Sequence, residues 1–217
     1  VVESLQRWSY NAQGQELARC ILDPGSSDAC LPTGTPPLDV RRTTTTYCDE
    51  ADVAIPNGTC PILGLVKSID GPRTDVADTT SFTYYGDTDE SGCSTGGACW
   101  RVGALAATTN ALGQVTRFLR YDADGRPLRQ VDPNGVPTDF EYSPRGRLSA
   151  RKVRGSDDLS EADDAITRFE YDAQGLVSKV TGPVGDYQQY THDAAQRLTN
   201  VTDRVGNAIE YTYGAAG

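Results

Sequence analysis

Six cysteines and a single histidine are the side chains with the most distinctive chemistry in this chain, and their placement limits what they can do. The cysteines fall in three close pairs, Cys20 and Cys30, Cys48 and Cys60, Cys93 and Cys99, all in the first half. Six cysteines allow fifteen connectivities. One pair within each of three segments makes the local pairings the economical set, each loop contributing on the order of 2–3 kcal/mol. Such bridges require an oxidising compartment, secreted or at the cell surface; the alternative is six reduced thiols. Zinc is a poorer reading, because the sequence holds no Cys-x-x-Cys and His192 is its only imidazole.

Nucleophilic catalysis of the Ser-His-Asp or Cys-His kind needs a base beside the nucleophile. His192 stands where tyrosine recurs elsewhere, so it reads as an aromatic replacement within a sheet. Carboxylates are abundant, yet Asp122, Asp132, Asp172 and Asp203 occupy turn positions that explain them. No phosphate-cradling or dinucleotide fingerprint is present. The expectation is no catalytic residue, no cofactor and no metal site. Two acidic stretches, 155–165 and Asp87-Thr88-Asp89-Glu90, carry the oxygen ligands calcium would need, although solvated loops are the plainer reading. Ser160 and Asp163 have capping-box spacing, which predicts one helical turn there.

The elements that carry these residues emerge from a repeat. Tyr121-Asp122-Ala123-Asp124-Gly125-Arg126 and Tyr171-Asp172-Ala173-Gln174-Gly175-Leu176 are copies of one motif, and Tyr10-Asn11-Ala12-Gln13-Gly14-Gln15 is a third. Weaker copies begin at Tyr142, His192 and Tyr213. With Tyr47 and Tyr85 as further anchors, the intervals are 37, 38, 36, 21, 29, 21 and 21 residues, a 21-residue unit with insertions. Eleven residues after the aromatic comes a second turn signal: Asp132-Pro133-Asn134-Gly135, Gly182-Pro183-Val184-Gly185 and Asp203-Arg204-Val205-Gly206. Asp accepts backbone N–H groups, Pro presets φ, and Gly supplies the left-handed residue that closes a type I turn into a bulged hairpin. The strands between alternate accordingly, with Val136, Thr138, Phe140 and Tyr142 on one face and Pro137, Asp139 and Glu141 on the other. Two strands cannot bury a face alone, so successive hairpins must stack.

Composition agrees once the repeat is seen. The chain has 217 residues with 22 Gly, 12 Pro and 11 Tyr, while Leu, Ile, Val and Phe make up about a fifth, near the level at which disorder is suspected. Tyrosine and threonine are strand formers and favour an all-β fold. An excess of 30 acidic over 20 basic residues argues against nucleic-acid binding. No apolar run is long enough for a transmembrane helix. The chain begins Val1-Val2-Glu3 without signal-peptide features and reads as a processed product or a fragment.

The tyrosine-aspartate motif followed by Asp-Pro-x-Gly resembles the YD repeat of the RHS proteins, most clearly from Gln114 to Gly217. The resemblance implies stacked antiparallel β-hairpins in a curved or spiralling sheet, part of a hollow shell of the kind found in bacterial RHS proteins, toxin-complex C components and teneurins. In bacterial members that shell encloses a C-terminal toxin. The expected organisation is a single repeat domain over 1–217, with three cysteine-bearing repeats in 1–113 and regular repeats in 114–217. The expected partners are the rest of its own polypeptide and an enclosed C-terminal domain, with a surface glycan or protein as a further possibility. Bacterial members also cleave themselves at an aspartate; Asp132-Pro133-Asn134-Gly135-Val136 is superficially similar but lies mid-repeat and reads as an ordinary turn. The alternative function is adhesion or carbohydrate binding through Tyr84, Tyr85, Tyr187, Tyr190, Tyr211 and Tyr213. Two sequons, at Asn57 and Asn200, would accept glycans in a eukaryotic secretory route.

Overall fold

A computed structural model describes residues 4–56, 58–158 and 160–214. The sequon residue Asn57, Leu159 of the acidic stretch and the last three residues of the copy begun by Tyr213 lie outside the described residues. The chain divides into two compact units, Val1–Arg126 and Pro127–Gly217. In the first, the strands are β1 (Leu5–Tyr10), β2 (Glu16–Leu22), β3 (Val40–Tyr47), β4 (Val66–Asp70), β5 (Thr80–Tyr84), β6 (Leu105–Thr109) and β7 (Val115–Tyr121), with a short helix α1 (Glu50–Val53). In the second they are β8 (Pro127–Val131), β9 (Pro137–Tyr142), β10 (Leu148–Val153), β11 (Ala165–Tyr171), β12 (Val177–Thr181), β13 (Tyr187–His192), β14 (Leu198–Asp203) and β15 (Ala208–Glu210). Within each unit every strand pairs antiparallel with the next in sequence. The fold is all-β, built from hairpins in series.

The turns form for the reason the sequence predicts. At Asp122 the Gly125 N–H donates back to the Asp122 carbonyl (3.1 Å) and Asp122 N–H to the Arg126 carbonyl (2.9 Å). The Asp122 carboxylate accepts from the N–H of Asp124 and Arg126 at 3.0 and 2.9 Å. Asp132, Asp193, Asp203, Asn11 and Asn110 repeat that pattern. The fourth residue lies in the left-handed region, Gly135 at φ 85° for example, and the ladder shifts register at the anchor. One copy carries a side chain there, Gln196 at φ 64°. Left-handed backbone costs an L-residue about 1–2 kcal/mol, so Gln196→Gly should stabilise the second unit by about 1 kcal/mol, read as a rise in the urea midpoint at constant slope.

Burial is sparse and sits under the insertions. The fully buried cluster is Ala18, Cys20, Leu22, Cys30 and Val40, with Leu5 against it. These residues line one face of β1, β2 and β3, and the segment between β2 and β3 folds back over that face. Cys30 on this segment is bonded to Cys20. The Arg7 and Arg42 guanidinium groups, which flank Cys20 across the strands, donate to its carbonyls at Ser26, Asp28, Leu31, Thr33 and Gly34. This insertion is therefore a cover that makes a second layer, and not a projection from the surface.

The acidic stretch 155–165 also differs from expectation. Its described residues are exposed except for Asp164, as a solvated loop's would be, but they are tied down by ion pairs, and they hold a turn where a helical turn was expected, with Ser160 Oγ accepting from Ala162 N–H and not from Asp163. It packs onto the face of β9 and β10 that carries Asp139 and Lys152, and buries Ala150, Lys152 and Arg154. The capping box lies elsewhere, at Asp49 and Asp52 of α1, where each carboxylate accepts from the other's N–H at 3.0 and 3.2 Å.

Candidate functional site

The anchor tyrosines are joined by one recurring hydrogen bond. Tyr171 pairs with Val177 inside its own hairpin, and its hydroxyl donates 2.8 Å to the carbonyl of Leu148, the residue that pairs with the preceding anchor Tyr142. Tyr142 does the same to Pro127 (3.0 Å) and Tyr213 to Leu198 (2.6 Å). In the first unit Tyr47 donates to Glu16 (2.8 Å) and Tyr121 to Leu105 (2.5 Å). Each hydroxyl reaches back one hairpin, so the repeat is closed by side chains as well as by strand pairing. Burial pushes the phenols of Tyr47, Tyr84 and Tyr121 up, Glu16 adding to the effect at Tyr47, and this keeps them protonated donors.

The third anchor is Tyr84, not Tyr85. Tyr84 pairs with Leu105 across the register shift, and its hydroxyl donates 2.7 Å to Val66, the partner of Tyr47. Tyr85 turns to the insertion, stacking on Trp100 at 4.1 Å between centroids and donating 2.7 Å to the Phe118 carbonyl. Anchors at 10, 47, 84 and 121 are then evenly spaced by 37 residues. That even spacing was the signal available in the sequence.

All six cysteines are bridged in the local pairs Cys20–Cys30, Cys48–Cys60 and Cys93–Cys99. The second and third bridges have a common task. The insertion holding Cys60 presents the Thr59 carbonyl to Tyr84 N–H, and the one holding Cys99 presents the Cys99 carbonyl to Tyr121 N–H, both at 2.8 Å. Each disulfide thus steadies a loop whose backbone satisfies the N–H of the next anchor, a group that would otherwise be left unpaired beside the bulge.

In the second unit Arg129 forms a two-pronged pair with Asp139 at 2.6 and 2.7 Å and reaches Asp158 at 2.8 and 3.0 Å. Lys152 contacts Glu141 and Glu161. Arg154 lies 2.8 Å from Asp164, whose side chain is wholly buried. The Arg129 hydrogen bond holds the Asp158 carboxyl below the usual range, and Lys152 does so for Glu161. A depressed carboxylate contributes stability that is complete above its unfolded value of about 4 and is lost as pH falls through the folded one. The insertion's docking should therefore weaken, through these two exposed pairs, as pH falls below about 4, which limited pepsin digestion at 155–164 would register as faster cleavage. In the Asp87 to Glu90 stretch, Asp87 faces Trp100 Nε1, Asp89 accepts from Ser91, and Glu90 pairs with Arg101. Among the described residues no group of three or more His, Cys, Asp or Glu is arranged to hold a metal.

The remaining tyrosines do not form one platform. Tyr187 and Tyr190 are three apart on β13 and so project to opposite faces; Lys179 sits 4.5 Å over Tyr187, and Tyr190 donates to Gln188. Asn200 of the second sequon is on β14, its carbonyl oxygen taken by the Thr202 hydroxyl at 2.7 Å. As a test of the ladder, Tyr171→Phe removes one hydroxyl and strands a part-buried carbonyl, so it should cost about 1 kcal/mol in urea unfolding and leave strand content unchanged.

Antiparallel hairpins in series, linked from anchor to anchor, define an all-β hairpin-repeat fold. Residues 121–157 match the model of the RHS Repeat family. No curated protein matches the sequence. Among solved structures, the chain is similar to the crystal structure of TcdB2-TccC3-Cdc42, at 19% identity and a TM-score of 0.52 over 92% of this chain and 9% of that one. It matches TcdB2-TccC3 without hypervariable C-terminal region at 19% and 0.50, over 92% of this chain and 9% of that one. The Photorhabdus luminescens Tc holotoxin pore, in a TccC3 mutant form, matches at 14% and 0.50, over 96% of this chain and 12% of that one. The chain carries an RHS repeat at 121–157, its fold is that of these Tc toxin proteins, and it spans about a tenth of their length.

Proposed function

We propose that this chain is a non-catalytic structural segment of an RHS-repeat protein, a stretch of β-wall that, with the rest of its polypeptide, encloses or displays a C-terminal cargo of toxin type. The observation that supports this most is the hydroxyl ladder. It uses six of the eleven tyrosines to tie a hairpin to the one before, at every such anchor but His192, which is the requirement of a thin wall. Within each unit one insertion, 23–39 in the first and 155–164 in the second, lies on the face opposite the anchor tyrosines of the strands it covers, which supports the tyrosine face of those strands as the one toward a cargo. Three disulfides support a secreted or cell-surface location. No helix among the described residues is long and apolar enough to cross a membrane. The partners are the remainder of the same polypeptide and its C-terminal domain.

Protease protection of the complete gene product tests the reading. Any sequence beyond the repeats should resist digestion while the wall is closed and be cleaved once several anchor tyrosines are replaced by alanine. Equal cleavage before and after would count against containment.

A further inference from the structure

His192 breaks the ladder, and its surroundings show what replaces the missing link. A hydroxyl at this anchor would meet the carbonyl of Val177, the partner of Tyr171. The imidazole instead places Nδ1, buried and without a hydrogen-bond partner, 3.6 Å from the Asp172 carboxylate of the preceding hairpin. That is too long for a hydrogen bond but within ion-pair range.

A second departure from the motif makes this carboxylate available. In the copies beginning at Tyr121 and His192, the fifth residue after the anchor is arginine, and it takes the second carboxylate oxygen: Arg126 with Asp122, Arg197 with Asp193. In the Tyr171 copy that position is Leu176. Asp172 keeps its turn bonds to Gly175 and Leu176 N–H through Oδ1, and Oδ2 faces His192. The two exceptions to the repeat thus meet each other.

The remaining surroundings are apolar or already paired. The imidazole borders an open pocket of about 380 Å³ with Phe169 of β11, Val177 and Val180 of β12, Tyr190 of its own strand and Leu198 of β14. Of the charged groups on the packed elements, Asp193 and Arg197 pair with each other, with Arg197 over the Tyr213 ring. Lys179 and Glu170 pair on the opposite face, and Arg147 lies over the Tyr171 ring.

We propose that His192 and Asp172 form a proton-operated clasp between two successive hairpins, closed when the imidazole is charged and slack when it is neutral. Histidine is the side chain whose charge changes in the pH 5 to 8 range. Protonation arms Nδ1 as a charged donor facing a carboxylate, so the seam between the hairpins tightens as pH falls. In every other link the donor is a tyrosine hydroxyl and is indifferent to pH in this range.

The test is amide hydrogen exchange at the β12–β13 seam of the full chain at pH 5.5 and 7.5, corrected for intrinsic exchange. Protection should be roughly fivefold greater at the lower pH. Asp172→Asn should abolish that difference without losing the turn, since Asn11 and Asn110 build the same turn in this chain. His192→Tyr should give protection independent of pH. Because His192 is the only histidine, its imidazole nitrogen signals are unambiguous, and in the wild type they should move together with the seam's protection, a readout independent of whether either variant folds. Protection that does not change with pH, or changes equally in Asp172→Asn, would overturn the clasp.

Discussion

Removing the Cys20–Cys30 bridge by Cys20→Ala with Cys30→Ala is expected to cost about 3–5 kcal/mol and to melt β1 to β3 before the rest of the first unit. The bridge closes a loop of ten residues' separation and also forms the centre of the buried cluster, with both cysteines wholly inaccessible. Without it the 23–39 segment keeps the Arg7 and Arg42 bonds to its carbonyls and the Asp23 N–H bond to the Asp39 carbonyl across its base, and Leu22 and Val40 lose their cover. Exchange protection at Ala18 and Leu22 should fall to that of exposed strands. The Cys93–Cys99 bridge closes a loop of six and lies outside that cluster, so its removal should cost about 2 kcal/mol. Equal losses at the two sites would contradict the role given to the first insertion.

Arg154→Ala is the second large effect, about 3–5 kcal/mol, because it leaves Asp164 buried without its countercharge. Arg154 has 7% of its side chain exposed and Asp164 none, whereas Asp158 is half exposed at 52%. Asp158→Asn therefore serves as the control and should cost under about 1 kcal/mol. The readouts are the urea midpoint and the rate of proteolysis within 155–164. The short bond from Gly155 N–H to Asp164 shows how the loop is tied at both its ends to the same carboxylate, so losing the pair should free the whole insertion.

The turns were legible because their chemistry is local. Asp or Asn at the first position and Gly at the fourth specify a four-residue geometry that needs no distant partner, and a strand lies between each such pair of signals, although β6, β8, β12 and β14 show no alternation in burial. The ladder was not legible, since a tyrosine that donates one hairpin back depends on the register across three strands. Tyr84 and Tyr85 show the difficulty: adjacent residues of one type point to opposite faces, and only the shift at the bulge decides which becomes the anchor. The equal spacing of 37 residues would have chosen Tyr84, but the motif around it is degraded. The exposure of the acidic insertion was legible but its docking was not, because its partners, Arg129, Lys152 and Arg154, are scattered over β8, β10 and the residue that follows it, and charge composition alone looks the same for a free loop and a docked one. The capping box at Asp49 and Asp52 has Asp in place of the usual Ser or Thr at its first position, so the spacing at Ser160 and Asp163 looked the better match.

The central claim is that this chain is a segment of wall. Electron cryomicroscopy of the complete gene product tests it most directly: these hairpins should appear as consecutive turns of a larger β-shell, with the tyrosine ladder on the face toward an interior and the 23–39 and 155–164 segments on the other. A map in which residues 127–214 stand apart as a sheet with both faces in solvent would contradict the account.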